Sequence, residues 1–334
     1  MKFSLNLYVD GQAEELIGFL KNAEAAGFDR VWTQEGDRSA LTSASLLAPH
    51  TNTINLATGV AHAFTRPPFE TARCAVDISR YAKGRFVLGL GTGNRASVER
   101  QYGGSFDRPV ARLREYVRFT RQLMDALAHG GRVALEGEFY RAAYDGQHEA
   151  VASNMPPPPP IHLGVLGPQM SAVAGQVADG LLGGVLGTPA WVRDVVWPAV
   201  RRGQQSAGRS TSYFEMTGTL VCAIAADRRQ ARHDTARFLA WYAIHESNWP
   251  AFEWHGFGDA VHRVKGMPID EAAELMPDEV IDCFAAAGTA DEVKRAISRF
   301  DGIAEGLRVL PPPHILEPAE MDVYQRAILE TFGR

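Results

Sequence analysis

Short apolar or β-branched segments alternate with longer amphipathic segments along most of the chain. Residues 3–9 alternate as in a strand, and residues 13–26 place apolar side chains on one helical face before Gly27 ends the helix. The same alternation predicts eight strands, at residues 3–9, 30–33, 54–58, 86–90, 161–166, 180–186, 217–225 and 306–310. It also predicts helices at about residues 40–49, 68–82, 110–128, 168–178, 189–207, 228–245, 290–300 and 318–332. Strands that alternate with helices form parallel sheets, so we predict a (β/α)8 TIM barrel.

Two connections are longer than the rest and predict insertions after the fourth and seventh strands. Residues 131–160 are an irregular, proline-rich excursion with a β-like piece at about 133–140 and five prolines at 156–160, which favour a stiff extended backbone. Residues 247–277 are rich in aromatic side chains, and we interpret them as a long loop. Because the alternation resumes after each insertion, we predict a single domain over residues 1–334.

Composition narrows the class of partner. The chain has 334 residues, 46% of them hydrophobic, and a net charge of −5 without a basic run, so nothing favours nucleic acid as a partner. No apolar run approaches the roughly 18 residues of a membrane span, and residues 1–11 lack signal-peptide features. Cys74, Cys222 and Cys283 lie far apart, with no metal-ligand spacing, which indicates reduced thiols. We therefore expect a cytoplasmic protein that binds small molecules and no metal.

Functional residues of such barrels lie where strands end at their carboxyl side. Three glycines follow the fourth strand in the pattern Gly89-x-Gly91-x-Gly93, but the dinucleotide fingerprint needs a glycine where Asn94 stands. Glycines still let the backbone approach a flat ring or a phosphate, and Thr92 and Asn94 can hydrogen-bond to one. A plain glycine turn is the alternative. The candidates here are Gly91, Thr92, Gly93, Asn94 and Arg95.

The turn after the fifth strand is a second candidate. Gly167 ends the strand and Pro168 stands at the first helical position, so the free N–H groups of the helix face the barrel mouth. Such a helix terminus is a ready phosphate site, although an ordinary strand-to-helix turn is the alternative. The candidates here are Leu166, Gly167, Pro168 and Gln169.

Four motifs, in this order, resemble the luciferase-like monooxygenase superfamily over nearly the whole chain. They are AAGFDRVW at 25–32, GRFVLGLGTG at 84–93, GP at 167–168 followed by AG at 174–175 and ADG at 178–180, and GTADEV at 288–293. Gly93-Asn94 together with residues 108–116 is most similar to the branch that depends on the deazaflavin coenzyme F-420.

The resemblance implies a flavin-like ring across the carboxyl end of the barrel. In this family a bulge after the third strand, often with a cis peptide bond that precedes no proline, backs the central ring. The matching residues are Gly59 and Val60, and we predict a cis bond there. Glu35 matches an acidic residue after the second strand that contacts the ring or a substrate proton, although it could instead cap the following helix.

Two positions depart from the family pattern. Several deazaflavin enzymes of the family carry a catalytic histidine directly after the acidic residue, where this chain has Gly36. The family's glucose-6-phosphate dehydrogenases carry glutamate where this chain has Asn94, which argues against oxidation of a sugar phosphate by their mechanism. His62 lies two residues beyond the bulge and could supply the proton transfer, because imidazole titrates near neutrality. A structural hydrogen bond is the alternative for His62.

The resemblance also implies partners for the coenzyme tail and the substrate. The tail of F-420 is a phosphodiester with a polyglutamate, for which Arg95, Arg108 and Arg112 are candidates unless they are ordinary surface residues. The rings of residues 247–277 suit a lid over a hydrophobic substrate, or they pack that segment onto the barrel. The lid candidates are Trp249, Phe252, Trp254 and Phe257.

Three functions remain open from the sequence. The first is an F-420-dependent reductase or dehydrogenase that exchanges a hydride with a small organic substrate such as a ketone, alcohol or enone. The second is a two-component monooxygenase that receives reduced FMN from a separate coenzyme reductase. The third is a protein that binds the coenzyme without catalysis. In each case the resemblance implies a homodimer.

Overall fold

The eight predicted strands form a closed parallel barrel in the computed structural model, which describes residues 1–9, 11–146, 155–210 and 213–334. The strands are β1 Lys2–Asn6, β2 Arg30–Thr33, β3 Asn55–Thr58, β4 Phe86–Gly91, β5 Ile161–Val165, β6 Gly180–Gly183, β7 Glu215–Ile224 and β8 Gly306–Leu310. Each strand pairs in parallel with the next, and β8 closes the barrel against β1, with Leu307 opposite Phe3. The predicted TIM barrel is confirmed.

Helices surround the barrel close to the predicted positions. The longer ones are Ala13–Ala25, Ala40–Leu47, Pro68–Tyr81, Pro109–His129, Pro168–Val177, Arg228–Ala243, Ala290–Ile297 and Pro318–Phe332. The helix predicted at 189–207 is divided into Pro189–Trp191, a π-helical turn Val192–Val196, and Trp197–Ser206. Pro198 explains the division, because it has no N–H to donate to the carbonyl four residues earlier.

The connection between β4 and β5 is more regular than predicted. Its described part contains helix Arg95–Arg100, helix Pro109–His129 and an antiparallel hairpin of Val133–Glu136 with Arg141–Tyr144, where the sequence predicted one β-like piece at about 133–140. Residues 147–154, which belong to the predicted excursion, lie outside the described residues. Glu115 organises the hairpin turn, because its carboxylate accepts the backbone N–H groups of residues 138–140.

The connection between β7 and β8 corrects the prediction of a loop at 247–277. This segment is helical, with helices Trp249–Trp254, Gly258–Arg263, Ile269–Glu274 and Asp278–Phe284. Glycines and prolines between short helices resemble loop punctuation, which is why the pattern indicated a loop. A short strand, Ala285–Gly288, follows and pairs in parallel with the upper half of β7. The sequence did not predict this strand, because three alanines and a glycine carry no β signal.

The barrel interior changes character from one end to the other. At the amino-terminal end Arg30 pairs with Glu215 at 2.8 Å, and His162 lies 3.9 Å from the same carboxylate. Trp32 and a small apolar cluster fill the middle. At the carboxyl end glycines leave the strand ends bare, so the candidate site lies there. Within the described ranges no helix is both long and apolar enough to cross a membrane.

Candidate active site

A bulge after β3 forms the centre of the site. The peptide bond between Gly59 and Val60 is cis, at the predicted position. Beyond it, Ala61–His62 forms a two-residue strand that pairs with Leu90 and Gly91 of β4. The chain thus leaves the barrel wall at Gly59 and returns to it at Ala61, and Val60 packs on the apolar cluster of the barrel interior.

Glycines on two neighbouring strands make room for Val60. A Cβ atom on Gly91 would lie 2.6 Å from Val60 Cγ2, and one on Gly164 would lie 2.5 Å from Val60 Cγ1. Both distances are far shorter than a van der Waals contact, so neither position accepts a side chain without moving Val60. The three residues define the Val60 cradle, a surface with little side-chain relief that suits a flat ring.

His62 lies beside the Val60 cradle with one nitrogen unused. The imidazole is half-buried, its Nδ1 is sealed from solvent, and Nδ1 has no hydrogen-bond partner among the described residues. Gly93, at φ +71°, brings the backbone so close that a Cβ atom would lie 3.1 Å from Nδ1. Burial lowers the pKa of His62, and the charge of Glu35 opposes this effect. The imidazole is therefore neutral at neutral pH and able to accept a proton.

Glu35 is held in the alternative arrangement, as a helix cap. Its side chain is only 2% exposed and forms an ion pair with Arg66. The other carboxylate oxygen accepts the N–H of Ala40 at 2.5 Å, the first residue of helix Ala40–Leu47. Gly36 is exposed, and a Cβ atom added to it would meet nothing within 4 Å among the described residues. A direct catalytic role for Glu35 stays a prediction, and it concerns a carboxylate that already has two partners.

The glycine loop after β4 is organised by its own polar side chains. Asn94 accepts the N–H of Ser97 at 2.8 Å and so caps helix Arg95–Arg100. Thr92 donates to the carbonyl of Gly93 at 2.8 Å. Asn94 and Thr92 thus support the loop, and its backbone is what lies next to His62.

The three candidate arginines have partners within the protein. Arg95 pairs with Glu99 at 2.7 Å, and Arg108 pairs with Glu138. The guanidinium of Arg112 lies over the Phe139 ring, 5.0 Å from its centroid. Arg95 and Arg108 are more than half exposed, so an anionic tail could compete for them with exposed carboxylates.

The turn after β5 presents an uncapped helix. Gly167 has an extended backbone and precedes helix Pro168–Val177, which has no side-chain cap among the described residues. Gln169 is exposed, and the carbonyl of Leu166 accepts the indole N–H of Trp191 at 2.9 Å. The first N–H groups of this ten-residue helix are therefore available to a ligand.

The predicted lid residues divide into core and surface. Phe252 is fully buried, with its ring centroid 4.8 Å from that of Phe284, so its assignment to a substrate lid is corrected to the core of the insertion. Phe257 packs on the same ring at 6.2 Å. Trp249 donates its indole N–H to the carbonyl of residue 243 at 2.7 Å. Trp254 alone of the four is an exposed large apolar residue, at 43%, and its ring meets Trp191 edge to face at 5.4 Å.

Sequence reasoning missed a polar cluster at the floor of the mouth. Arg308 projects inward from β8 and donates to the side chain of Asn6 and to the carbonyl of Gly59, each at 3.3 Å. Asn6 in turn donates to the Tyr8 hydroxyl at 2.9 Å and to Gln34 at 3.0 Å. A signal was present, since Arg308 is the one charged residue in the otherwise apolar strand Gly306–Leu310.

Comparison with known proteins identifies relatives over the whole barrel. The luciferase-like monooxygenase family model matches residues 2–304. The 5,10-methylenetetrahydromethanopterin reductase of Archaeoglobus fulgidus is 30% identical over 312 residues, which are 90% of each chain. The coenzyme F-420-dependent tetrahydromethanopterin reductase from Methanopyrus kandleri superposes with a TM-score of 0.78 at 22% identity, covering 99% of both chains.

A solved structure of different chemistry has the same fold. The oxygenating constituent of 3,6-diketocamphane monooxygenase from Pseudomonas putida, in complex with FMN, superposes with a TM-score of 0.67 at 16% identity. It covers 100% of this chain and 97% of its own. The barrel described above is thus shared by a protein whose name specifies F-420 and by one that holds FMN.

Proposed function

This chain belongs to the luciferase-like monooxygenase family, and from that premise we propose that it transfers a hydride between coenzyme F-420 and a small, apolar organic substrate such as a ketone, alcohol or enone. The observation that carries the proposal is the Val60 cradle, with the half-buried, neutral imidazole of His62 beside it. A flat ring needs a bare surface of this kind, and the reaction needs a proton carrier next to it.

The residues around the cradle fit a deazaflavin. Gly59 and Val60 would back the ring, and residues 91–94 would border it with backbone. The uncapped N–H groups after Gly167 would bind the phosphodiester, because a helix N-terminus attracts anions. When bound, F-420 supplies a ring carbon that accepts or donates a hydride.

His62 holds the proton in this proposal. Its neutral imidazole takes a proton from a substrate hydroxyl, or returns one, at Nε2, which makes no hydrogen bond among the described residues and, unlike Nδ1, is not sealed from solvent. Glu35 is a positioning residue, because its negative charge favours the protonated imidazole while Arg66 and the Ala40 N–H fix the carboxylate.

Aromatic rings limit access of water to one side of the mouth. Trp191 is fixed to the end of β5 through the Leu166 carbonyl, and Trp254 packs on it. An apolar wall of this kind favours an apolar substrate and strengthens the electrostatic interactions within the site.

Titration of the purified protein with F-420 and with FMN, each reduced and oxidised, tests the coenzyme assignment. Tryptophan fluorescence reports binding, since Trp191 and Trp254 lie near the mouth. We expect micromolar or tighter binding of F-420 and much weaker binding of FMN. Preference for reduced FMN would instead favour the two-component monooxygenase, which receives reduced FMN from a separate reductase. Binding of neither coenzyme would overturn the proposal.

Turnover in a screen of ketones, alcohols and enones tests the reaction. We expect His62→Gln to lower kcat by about a hundredfold, in the range of lost general acid–base catalysis. Glu35→Gln should lower kcat less and should shift the pH profile towards lower pH, because the imidazolium loses a favourable charge. F-420 binding without turnover of any compound would favour the coenzyme-binding alternative. The homodimer stays a prediction for sedimentation to test.

A further inference from the structure

Arg308 is a buried cation at the floor of the barrel mouth. It lies in β8 between Leu307 and Val309, and only 7% of its surface is exposed. Its side chain crosses the barrel interior from β8 to the end of β3, where Nη1 reaches the carbonyl of Gly59. Arg308 therefore lies directly next to the bulge that carries Val60.

Every described hydrogen-bond partner of Arg308 is neutral. Nε donates to the Thr219 hydroxyl at 3.2 Å, and Nη1 donates to the Asn6 side chain and the Gly59 carbonyl. Among the described residues no carboxylate forms an ion pair with it. Burial lowers the pKa of Arg308, but a guanidinium keeps its charge at any physiological pH. A buried charge without a counterion is unfavourable, so its presence needs a reason.

One nitrogen of Arg308 remains available. Within residues 1–9, 11–146, 155–210 and 213–334, Nη2 makes no hydrogen bond, and it is not among the side-chain atoms that are both sealed from solvent and unpartnered. Nη2 thus keeps some solvent-accessible surface, and its two N–H groups have no acceptor among the described residues.

Two tyrosines add donors to the same place. The Tyr8 hydroxyl accepts from Asn6, which itself accepts from Arg308, so the three side chains form one chain of hydrogen bonds. Tyr242 packs against the same apolar cluster as Tyr8, and the charge of Arg308 opposes the effect of burial on the pKa of its phenol. Burial raises the pKa of both phenols, which keeps their protons available for donation. The Arg308 cluster, defined as Arg308, Tyr8 and Tyr242, is rich in donors and lacks an acidic acceptor among the described residues.

We propose that the Arg308 cluster binds a negatively charged or strongly polarised oxygen of a ligand in the barrel mouth. A guanidinium and two phenol hydroxyls suit a carbonyl or carboxylate oxygen. The oxygen belongs either to the coenzyme ring or to the substrate, and this choice rests on the proposed function. The binding of an oxyanion as such does not rest on it.

Two titrations of Arg308→Met test the cluster. The first follows tryptophan fluorescence of coenzyme-free protein with sodium acetate at constant ionic strength, with acetamide as the neutral counterpart. The second measures the dissociation constant of oxidised F-420 and the absorption spectrum of the bound coenzyme. We expect at least one dissociation constant to rise by about tenfold, the range for a lost hydrogen bond to a charged group. Arg308→Lys should retain part of the affinity.

The two arms separate the sources of the oxygen. Loss of acetate binding alone assigns the oxygen to the substrate, and loss of coenzyme affinity with a changed spectrum assigns it to the coenzyme. Arg73→Met is the matched control, because Arg73 is exposed on helix Pro68–Tyr81 and should change neither constant. Circular dichroism checks folding, and Arg308→Gln replaces the methionine variant if that one fails to fold.

Unchanged constants for both ligands in a folded variant would overturn the proposal. Failure of F-420 to bind the wild-type protein would overturn the proposed function instead, and would leave the acetate arm to decide the cluster. If wild-type protein also binds no acetate, the oxyanion site is refuted as well.

Discussion

Two buried arginines lie at opposite ends of the same barrel, and they differ in what neutralises them. Arg30 and Arg308 are 6% and 7% exposed, respectively. Arg30 pairs with Glu215 at 2.8 Å and lies 3.8 Å from Asp29. Among the described residues Arg308 has only a hydroxyl, an amide oxygen and a backbone carbonyl as acceptors.

The difference shows which end of the barrel is complete without a ligand. At the amino-terminal end the protein supplies its own counterion, so the charge of Arg30 is balanced within the described residues. At the carboxyl end no described residue provides a counterion, so the electrostatic balance is completed from outside. This division matches the general rule that barrel function lies at the carboxyl end and stability at the other.

The largest expected effect is on the free energy of unfolding, at the amino-terminal end of the barrel. Glu215→Gln removes the nearer carboxylate of Arg30 and leaves only Asp29 at 3.8 Å, which should lower the free energy of unfolding by up to about 4 kcal/mol, the range for one partner removed from a buried pair. Urea denaturation measures the loss, and F-420 affinity should stay within twofold of wild type. The double variant Arg30→Met with Glu215→Leu should recover most of the stability. A large fall in coenzyme affinity with unchanged stability would break the comparison.

His162 predicts a pH dependence at the same end. Burial lowers its pKa to about 4, against an ordinary value of 6.5, and the charge of Glu215 only partly opposes this effect. As pH falls, the unfolded chain takes up a proton first, so stability is highest above pH 6.5 and falls by about 3 kcal/mol towards pH 4. His162→Asn should remove this slope in denaturation at several pH values. His62→Asn, at the carboxyl end of the barrel, is the control and should retain the pH dependence that His162 causes.

Two glycine-to-alanine substitutions, one at each end of the barrel, test whether the two ends differ in function. Each new Cβ atom would lie at a similar, short distance from its nearest neighbour. Gly164→Ala places a Cβ atom 2.5 Å from Val60 Cγ1, so Val60 should shift within the cradle and F-420 affinity should fall by about tenfold. Gly180→Ala places one 2.6 Å from His162 Nε2 and should lower stability by about 1–3 kcal/mol without weakening F-420. Gly18→Ala, with no described atom within 4 Å, is the control: it should leave F-420 affinity unchanged and raise stability by no more than about 1 kcal/mol, because alanine is the better residue inside helix Ala13–Ala25. Equal losses of affinity in the first two variants would contradict the division between ends.

The smallest effect is expected for Arg308→Met on stability. Replacement of a buried, uncompensated cation by an apolar chain of similar length should change the free energy of unfolding by less than about 1 kcal/mol. Arg30→Met should lower it by several times as much, because Glu215 would lose its partner. Thermal denaturation of the two variants gives the comparison directly. Equal losses would show that Arg308 is a structural residue like Arg30.

The fold was largely predictable because the hydrophobic periodicity and the glycines and prolines that end each element indicate the same boundaries along the chain. All eight barrel strands were found, since each is a short buried run followed by a helix that ends in a turn. The errors fell where a local signal is weak: strand Ala285–Gly288 consists of small residues, and the helices of 247–277 are each too short to show a full amphipathic repeat.

The candidate site was predictable in position but less so in its contacts. The family resemblance led to Gly59 and Val60, and the position two residues beyond them led to His62; the structure places the three together. Neither signal led to Arg66, whose ion pair occupies Glu35, because the two residues lie 31 positions apart and belong to different βα units. Arg308 was missed for a related reason, since its meaning depends on having no described carboxylate nearby, and absence of a partner is not visible in a sequence.

The short strand Ala285–Gly288 restricts movement of the insertion between β7 and β8 at the barrel mouth. It attaches the end of the insertion to Val221–Ile224 of β7 by a ladder of backbone pairs, and Trp254 and His255 hold the other end against Trp191 and Thr188. An insertion anchored at both ends is a fixed wall and not a hinged cover, since swinging it open would break sheet pairing. We therefore expect this wall to stay in place while substrate and product exchange, so that product release does not wait for it to open.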